Sequence, residues 1–136
     1  MIADRVVIDT SILISAALSP AGKPARVVRT VSQTGRLVFT ARTFEEFSSR
    51  IRRPKFDRYF RADGRELFLN AVISAATWVE ITGKLKACRD PEDDKFLETA
   101  VVAVADCIVT GDGDLLVLDQ FQQIPILTAA RFLELV

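Results

Sequence analysis

Short runs of aliphatic residues alternate along the chain with stretches whose apolar positions recur every three or four residues. Arg5-Val6-Val7-Ile8 is the first run and stops at Asp9. Ile12, Leu13, Ala16 and Ala17 then share one helical stripe, with Asp9, Thr10 and Ser11 supplying N-cap chemistry. A second helix runs through Val27, Val28 and Val31 to about Gly35, and Leu37 to Thr40 reads as the second strand. Phe44, Phe47 and Ile51 mark a third helix ending before Pro54, followed by a short helix or turn over Lys55 to Phe60. Arg65 to Ala76 reads as a helix with Leu67, Phe68, Ala71, Val72 and Ala75 on one stripe. Trp78 to Ile81, Cys107 to Thr110 and Ile124 to Leu127 complete the expected strands. Helices are expected over Glu92 to Ala105 and Ala129 to Leu135, with a helical turn over Leu115 to Leu118. Short unalternating strands that alternate with helices predict a parallel sheet covered on both faces.

The 136 residues suffice for one domain, spanning 1–136, with no linker or repeat to divide it. Hydrophobic residues at 49% can build a core, yet no apolar run reaches the roughly 20 residues of a membrane helix. The opening segment carries acid at Asp4 and Asp9, inside and beside a short apolar run, so no signal peptide is expected. Two cysteines, Cys88 and Cys107, make neither a disulfide framework nor a zinc motif, and the expectation is a reduced, cytoplasmic protein. The sequence has no histidine. Ser-His-Asp and Cys-His nucleophile systems, His-ligated zinc and imidazole-based ribonucleases are thereby excluded. If the protein is an enzyme, carboxylates are expected to carry the chemistry, with or without a metal.

The net charge is zero, but the charges are sorted. Residues 36–65 hold nine Arg or Lys against four acids, whereas residues 66–136 hold five against twelve. Such sorting fits a phosphate-binding face beside a cation site, or simply solvated helix faces of opposite sign. Ligands of an open parallel sheet bind beyond the carboxyl ends of its strands. Asp9 follows the first strand, Asp112 and Asp114 the fourth, Glu45 and Glu46 lie in the helix after the second, and Asp93 opens the helix that feeds the fourth. Carboxylates gathered from four segments repel one another unless a divalent cation sits among them. With only oxygen ligands, Mg2+ or Mn2+ is the expected ion.

Helical phase separates some neighbours. At about 100° per residue, Asp93 extends the Phe96/Leu97/Ala100/Val101/Val104 stripe toward the sheet edge, while Asp94 turns to its flank. Neither Glu45 nor Glu46 lies on the Phe44/Phe47/Ile51 stripe, so periodicity leaves that pair open.

Val6 to Ile14, Thr40 to Phe47 with Arg53-Pro54-Lys55-Phe56, Arg89 to Leu97 with Ala100, and Ala105-Asp106 with Ile108 to Leu116 form four blocks in fixed order. Together they resemble the PIN domain, the nuclease fold of VapC-type toxins, over nearly the whole chain. The resemblance implies a three-layer α/β/α sandwich around a five-stranded parallel sheet. It assigns Asp9, Glu46, Asp93 and Asp112 as catalytic and metal-binding acids, with Asp112 binding directly or through water. One departure is Ser11, where many members carry Asn; serine still caps but has a shorter reach.

The implied activity is Mg2+- or Mn2+-dependent cleavage of RNA, with the ion lowering the pKa of a bound water and neutralising charge at phosphorus. Thr10, Ser11, Thr110 and Asp114 are expected as auxiliary residues around the acids, and Arg50, Arg52, Arg53 and Lys55 as contacts to RNA phosphates. Phe56, Tyr59 and Phe60 suit a core or dimer interface better than base stacking. The resemblance also implies a cognate antitoxin and a homodimer. A receiver domain is excluded by Ile81-Thr82 and Thr128-Ala129-Ala130, which lack its acceptor Asp and its Lys, and a haloacid-dehalogenase phosphatase by Asp9-Thr10-Ser11, which is not Asp-x-Asp. The remaining alternative is a weakly active or inactive PIN-like module that binds RNA or protein.

Overall fold

A computed structural model describes residues 1–136. Five strands lie parallel, and a sixth closes one edge. They are β1 (Arg5–Ile8), β2 (Arg36–Phe39), β3 (Ala76–Trp78), β4 (Cys107–Val109), β5 (Gln120–Phe121) and β6 (Ile124–Leu127). Their order in the sheet is β3-β2-β1-β4-β6-β5. Val6 pairs with Leu37 on one side of β1 and with Cys107 on the other.

The parallel strands have the expected count, but the sheet has six members because β5 pairs antiparallel with β6. Gln122 and Gln123, with φ of 47° and 69°, make a two-residue turn between Phe121 and Ile124. Hairpins of this kind need positive φ at both turn positions and usually carry Asn-Gly there, so Gln-Gln hides the turn from sequence.

Helices α1 (Thr10–Leu18), α2 (Lys23–Thr34), α3 (Ala41–Ile51), α4 (Gly64–Ser74) and α7 (Ala129–Leu135) pack on one face. Helices α5 (Asp94–Ala103) and α6 (Gly113–Leu116) cover the other. Strand alternation sets this division. Val6 and Ile8 meet α1, α2 and α7, whereas Val7, between them, packs with Phe96, Leu97 and Ala100 of α5. The result is the three-layer α/β/α sandwich.

Strand ends and helix starts share residues. Asp9 caps α1 by accepting from the Ile12 N–H at 2.9 Å, Thr40 caps α3 through Thr43 in a reciprocal capping box, and Thr128 caps α7 through Arg131. Asp112 does the same for the short α6, accepting from Asp114 N–H at 2.9 Å. Pro54–Tyr59 and Pro91–Asp93 are single 3-10 segments.

β3 begins at Ala76, two residues early, and ends at Trp78, three residues early, because α4 ends at Ser74 and passes straight into the strand. On α4 the buried positions are Leu69 and Val72, while Leu67 and Ala71 face outward. The apolar stripe was wider than the face the sheet could cover.

Candidate active site

The order of strands reverses at β1: the chain moves outward to β2 and β3 on one side, then returns to β4 on the other. A crevice opens at such a switch point, beyond the carboxyl ends of the two central strands. Asp9 leaves β1 there, and Thr110 and Asp112 leave β4. The Asp9 N–H donates to Val109 O at 3.1 Å, which fixes the two strand ends side by side. The Thr110 hydroxyl donates to Asp9 Oδ2 and accepts from the Asp112 N–H at 3.0 Å. Burial pushes the Asp9 carboxyl above its ordinary value, against the hydrogen bonds from Thr110 and from the Ile12 and Gly111 N–H groups.

The second wall is the entry to α5. Asp93 is 7% exposed, and its Oδ2 is buried without a hydrogen-bond partner. Burial, the adjacent Asp112 carboxylate, and repulsion from Asp90 and Asp114 push its carboxyl up to about 7. One carboxylate oxygen from each of Asp90, Asp93 and Asp114 lies within 4.8 Å of the others. Asp94 points elsewhere, as its helical phase predicts. It accepts from the Ala87 and Cys88 N–H groups at 2.9 and 2.7 Å and pins the 84–90 loop. Burial acts to raise its carboxyl, but those hydrogen bonds hold it below the ordinary value.

The third wall is α3. Glu46 Oε1 accepts from the Thr10 hydroxyl at 2.5 Å, and Oε2 lies 2.5 Å from Lys95 Nζ and 3.5 Å from Arg50. Burial alone would raise the Glu46 carboxyl. The hydrogen bonds from Lys95 and Thr10, with the charges of Lys95 and Arg50, outweigh burial and hold it low. Glu45 lines only the neighbouring open groove, so the structure resolves the pair that periodicity left open.

Asp9, Thr10, Ser11, Glu46, Asp93 and Asp112 all border one cavity of about 180 Å³, together with Arg50 and Asp90. The four acids singled out in sequence therefore border the same cavity, although the carboxylates that come within 4.8 Å of one another are those of Asp90, Asp93 and Asp114. Asp114 joins through the acidic trio, and Thr110 through its bonds to Asp9 and Asp112. Among the basic candidates, only Arg50 reaches the cavity. Arg52 is paired with Glu66, and Lys55 lies over the Phe56 ring at 5.0 Å. Arg53 is exposed outside the cavity, and Tyr59 is exposed as well. Asp90 and Lys95 were missed. Asp90 stands three residues before Asp93 in a single tight turn, a spacing that could have signalled it. Lys95 reads in sequence as one more surface lysine, yet it is 7% exposed.

This donor set suits a hard divalent cation. It offers only oxygen, it concentrates negative charge without enough counter-charge, and it leaves a buried Asp93 oxygen with no partner. The two cysteines lie elsewhere chemically: burial pushes both thiols up to about 12, so neither is a thiolate nucleophile. No helix is long and apolar enough to cross a membrane.

Comparison with known proteins identifies the fold and the family. A solved structure of VapBC2 from Rickettsia felis, bound to a DNA fragment from their promoter, superposes with a TM-score of 0.61 at 9% identity. The match covers 91% of this chain and 98% of that one, and it shows a common fold. The uncharacterized protein MJ1680 of Methanocaldococcus jannaschii is 31% identical over 116 residues, which is 84% of this chain and 74% of that protein. The family model for the PIN domain matches residues 5–114, from β1 through the turn that carries Asp112 and Asp114. The chain belongs to the PIN domain family.

Proposed function

We propose that the protein is a metal-dependent endoribonuclease, the toxin of a toxin–antitoxin pair. The observation that carries the reading is the buried, partnerless Asp93 oxygen in a cavity bordered by acids from four segments. Asp9, Asp93, Asp112 and Glu46 would hold Mg2+ or Mn2+. A divalent ion there supplies an activated water and neutralises charge developing on the phosphate. The protein's own groups do the positioning. Thr110 orients Asp9, and the Asp112 cap of α6 fixes that carboxylate at the mouth of the cavity. Arg50 and Arg42 border the adjoining groove of about 660 Å³, where RNA phosphates would lie. The resemblance to a VapBC2 structure supports an antitoxin partner, and the outward Leu67 and Ala71 of α4 support a homodimer contact.

The test is cleavage of end-labelled single-stranded RNA by metal-stripped protein. Mn2+ or Mg2+ should restore activity, EDTA should abolish it, and products should carry 5′-phosphate and 3′-hydroxyl ends. A 2′,3′-cyclic phosphate product, or cleavage indifferent to EDTA, would overturn the mechanism. Light scattering at high concentration that reports a mass near 15.1 kDa would remove the dimer alone.

A further inference from the structure

Lys95 is a buried cation beside a cluster of carboxylates. It stands two residues after Asp93, at the N-terminal end of α5, where the helix dipole favours anions and opposes an ammonium. Burying an ammonium is costly unless it is paired and hydrogen-bonded. Its partners are the Glu92 carbonyl at 2.6 Å, Glu46 Oε2 at 2.5 Å, the Glu92 carboxylate at 3.5 Å, and the Phe96 ring at 5.1 Å. Glu46 is the pairing that reaches across from another element, linking α5 to α3.

That pairing divides the acids. Both Glu46 oxygens are already taken, one by Thr10 and the other by Lys95 with Arg50 behind it. Asp93, by contrast, keeps an oxygen with no partner. A cation entering the cavity meets Asp9, Asp93 and Asp112 without a competing ammonium. Glu46 can join them only by giving up Lys95.

We propose that Lys95 is a built-in competitor for the divalent ion, its ammonium occupying Glu46 until the ion displaces it. This inference rests on the metal-dependent reading above and adds what limits the site's affinity for its ion. The groove bordered by Ala41, Arg42, Arg50 and Glu92 adjoins Lys95 and has room for the displaced ammonium. Lys95 is in this sense a positioning residue acting through Glu46.

The experiment is calorimetric titration of the metal-stripped full chain with Mn2+, for wild type, Lys95→Met, Lys95→Arg, Glu46→Gln and the Lys95→Met/Glu46→Gln double variant. A charge within a few ångströms of a carboxylate shifts its equilibria by roughly ten- to a thousandfold. Lys95→Met should therefore bind Mn2+ at least about tenfold tighter than wild type, and Lys95→Arg should resemble wild type. In the Glu46→Gln background the gain should largely vanish, since the competed carboxylate is gone. Lys95→Gln, also neutral, carries the same expectation if the Met variant does not fold. Weaker or unchanged binding in the neutral variants would overturn the proposal, as would an equal gain with and without Glu46. If wild type binds Mn2+ and the neutral variants bind it no tighter, this inference alone falls. Absence of binding in every variant sinks it together with the metal-dependent reading.

Discussion

Thr110 holds Asp9 across 101 residues of chain, its hydroxyl donating to Asp9 Oδ2 at the ends of two paired strands. Thr110 Oγ1 also accepts from the Asp112 N–H at 3.0 Å, so one fully buried hydroxyl sets the positions of two acids. Thr110→Val keeps the shape and removes both bonds. Leaving a buried donor and acceptor unmade costs about 1–3 kcal/mol each. Loss of an orienting partner typically costs 10- to 100-fold in metal affinity or activity, roughly the size expected here. Thr110→Ser should recover most of the loss. Mn2+ titration and single-turnover cleavage would measure both, and a Val variant with wild-type values would remove Thr110 from the site.

Asp93 makes the metal-free protein sensitive to pH. Its carboxyl titrates at about 7 in the folded chain against an ordinary value of 3.8. Between those values the folded chain keeps a proton that the unfolded chain has lost, so stability falls as pH rises through the interval. Burial of Asp9 acts in the same direction. The melting temperature without metal should decline from about pH 5 to about pH 7.5, and Mg2+ should oppose the decline because it binds the ionised cluster. Asp93→Asn should flatten the profile and raise the melting temperature at the upper end. A wild-type profile that rises over this range would contradict the argument.

The acids were legible because each sits at a position with its own local signal. Asp9 and Asp112 end apolar runs, and the phase of α5 separates Asp93 from Asp94. Glu46 and Glu45 could not be told apart locally. What distinguishes them is contact with Thr10 and Lys95, residues 36 and 49 positions away. Lys95 and β5 were hidden for a related reason. A lysine's burial depends on a partner from another helix, and the Gln122-Gln123 turn lacks the usual small residues. The α4 stripe misled because apolar spacing gives a face its width, while the neighbouring elements decide how much of it is covered.

Asp9 has two separable duties, capping α1 and lining the cavity. Asp9→Asn retains an oxygen for the Ile12 N–H but loses the charge. It should fold with a melting temperature near or above wild type, since burial already penalises the ionised carboxylate. Cleavage should nevertheless be abolished and Mn2+ affinity sharply reduced. Asp9→Ala should lose activity and, in addition, about 1 kcal/mol of stability through the missing cap. Denaturant unfolding of the two variants separates these effects. Equal stability for both would show that the cap contributes nothing.

Val104 offers a change confined to stability. It ends α5 with φ 51° and ψ 53°, and the Ala105 N–H closes back to Ala100 O at 2.9 Å, the hydrogen-bond pattern of a helix that ends in a left-handed residue. Glycine is the usual occupant, because a side chain in this conformation costs roughly 1–2 kcal/mol, and branching at Cβ adds to the conflict. Val104 is 74% exposed, so its side chain returns little burial in exchange. Val104→Gly should relieve that strain. Glycine's greater freedom in the unfolded chain offsets part of the gain, leaving about 0.5–1 kcal/mol of added stability. Val104 lies at the opposite end of α5 from Asp93, so Mn2+ affinity should stay at the wild-type value. Urea unfolding would measure the gain as a higher midpoint at unchanged slope. A lower midpoint would mean that the valine side chain makes a contact that matters more than the strain of its backbone.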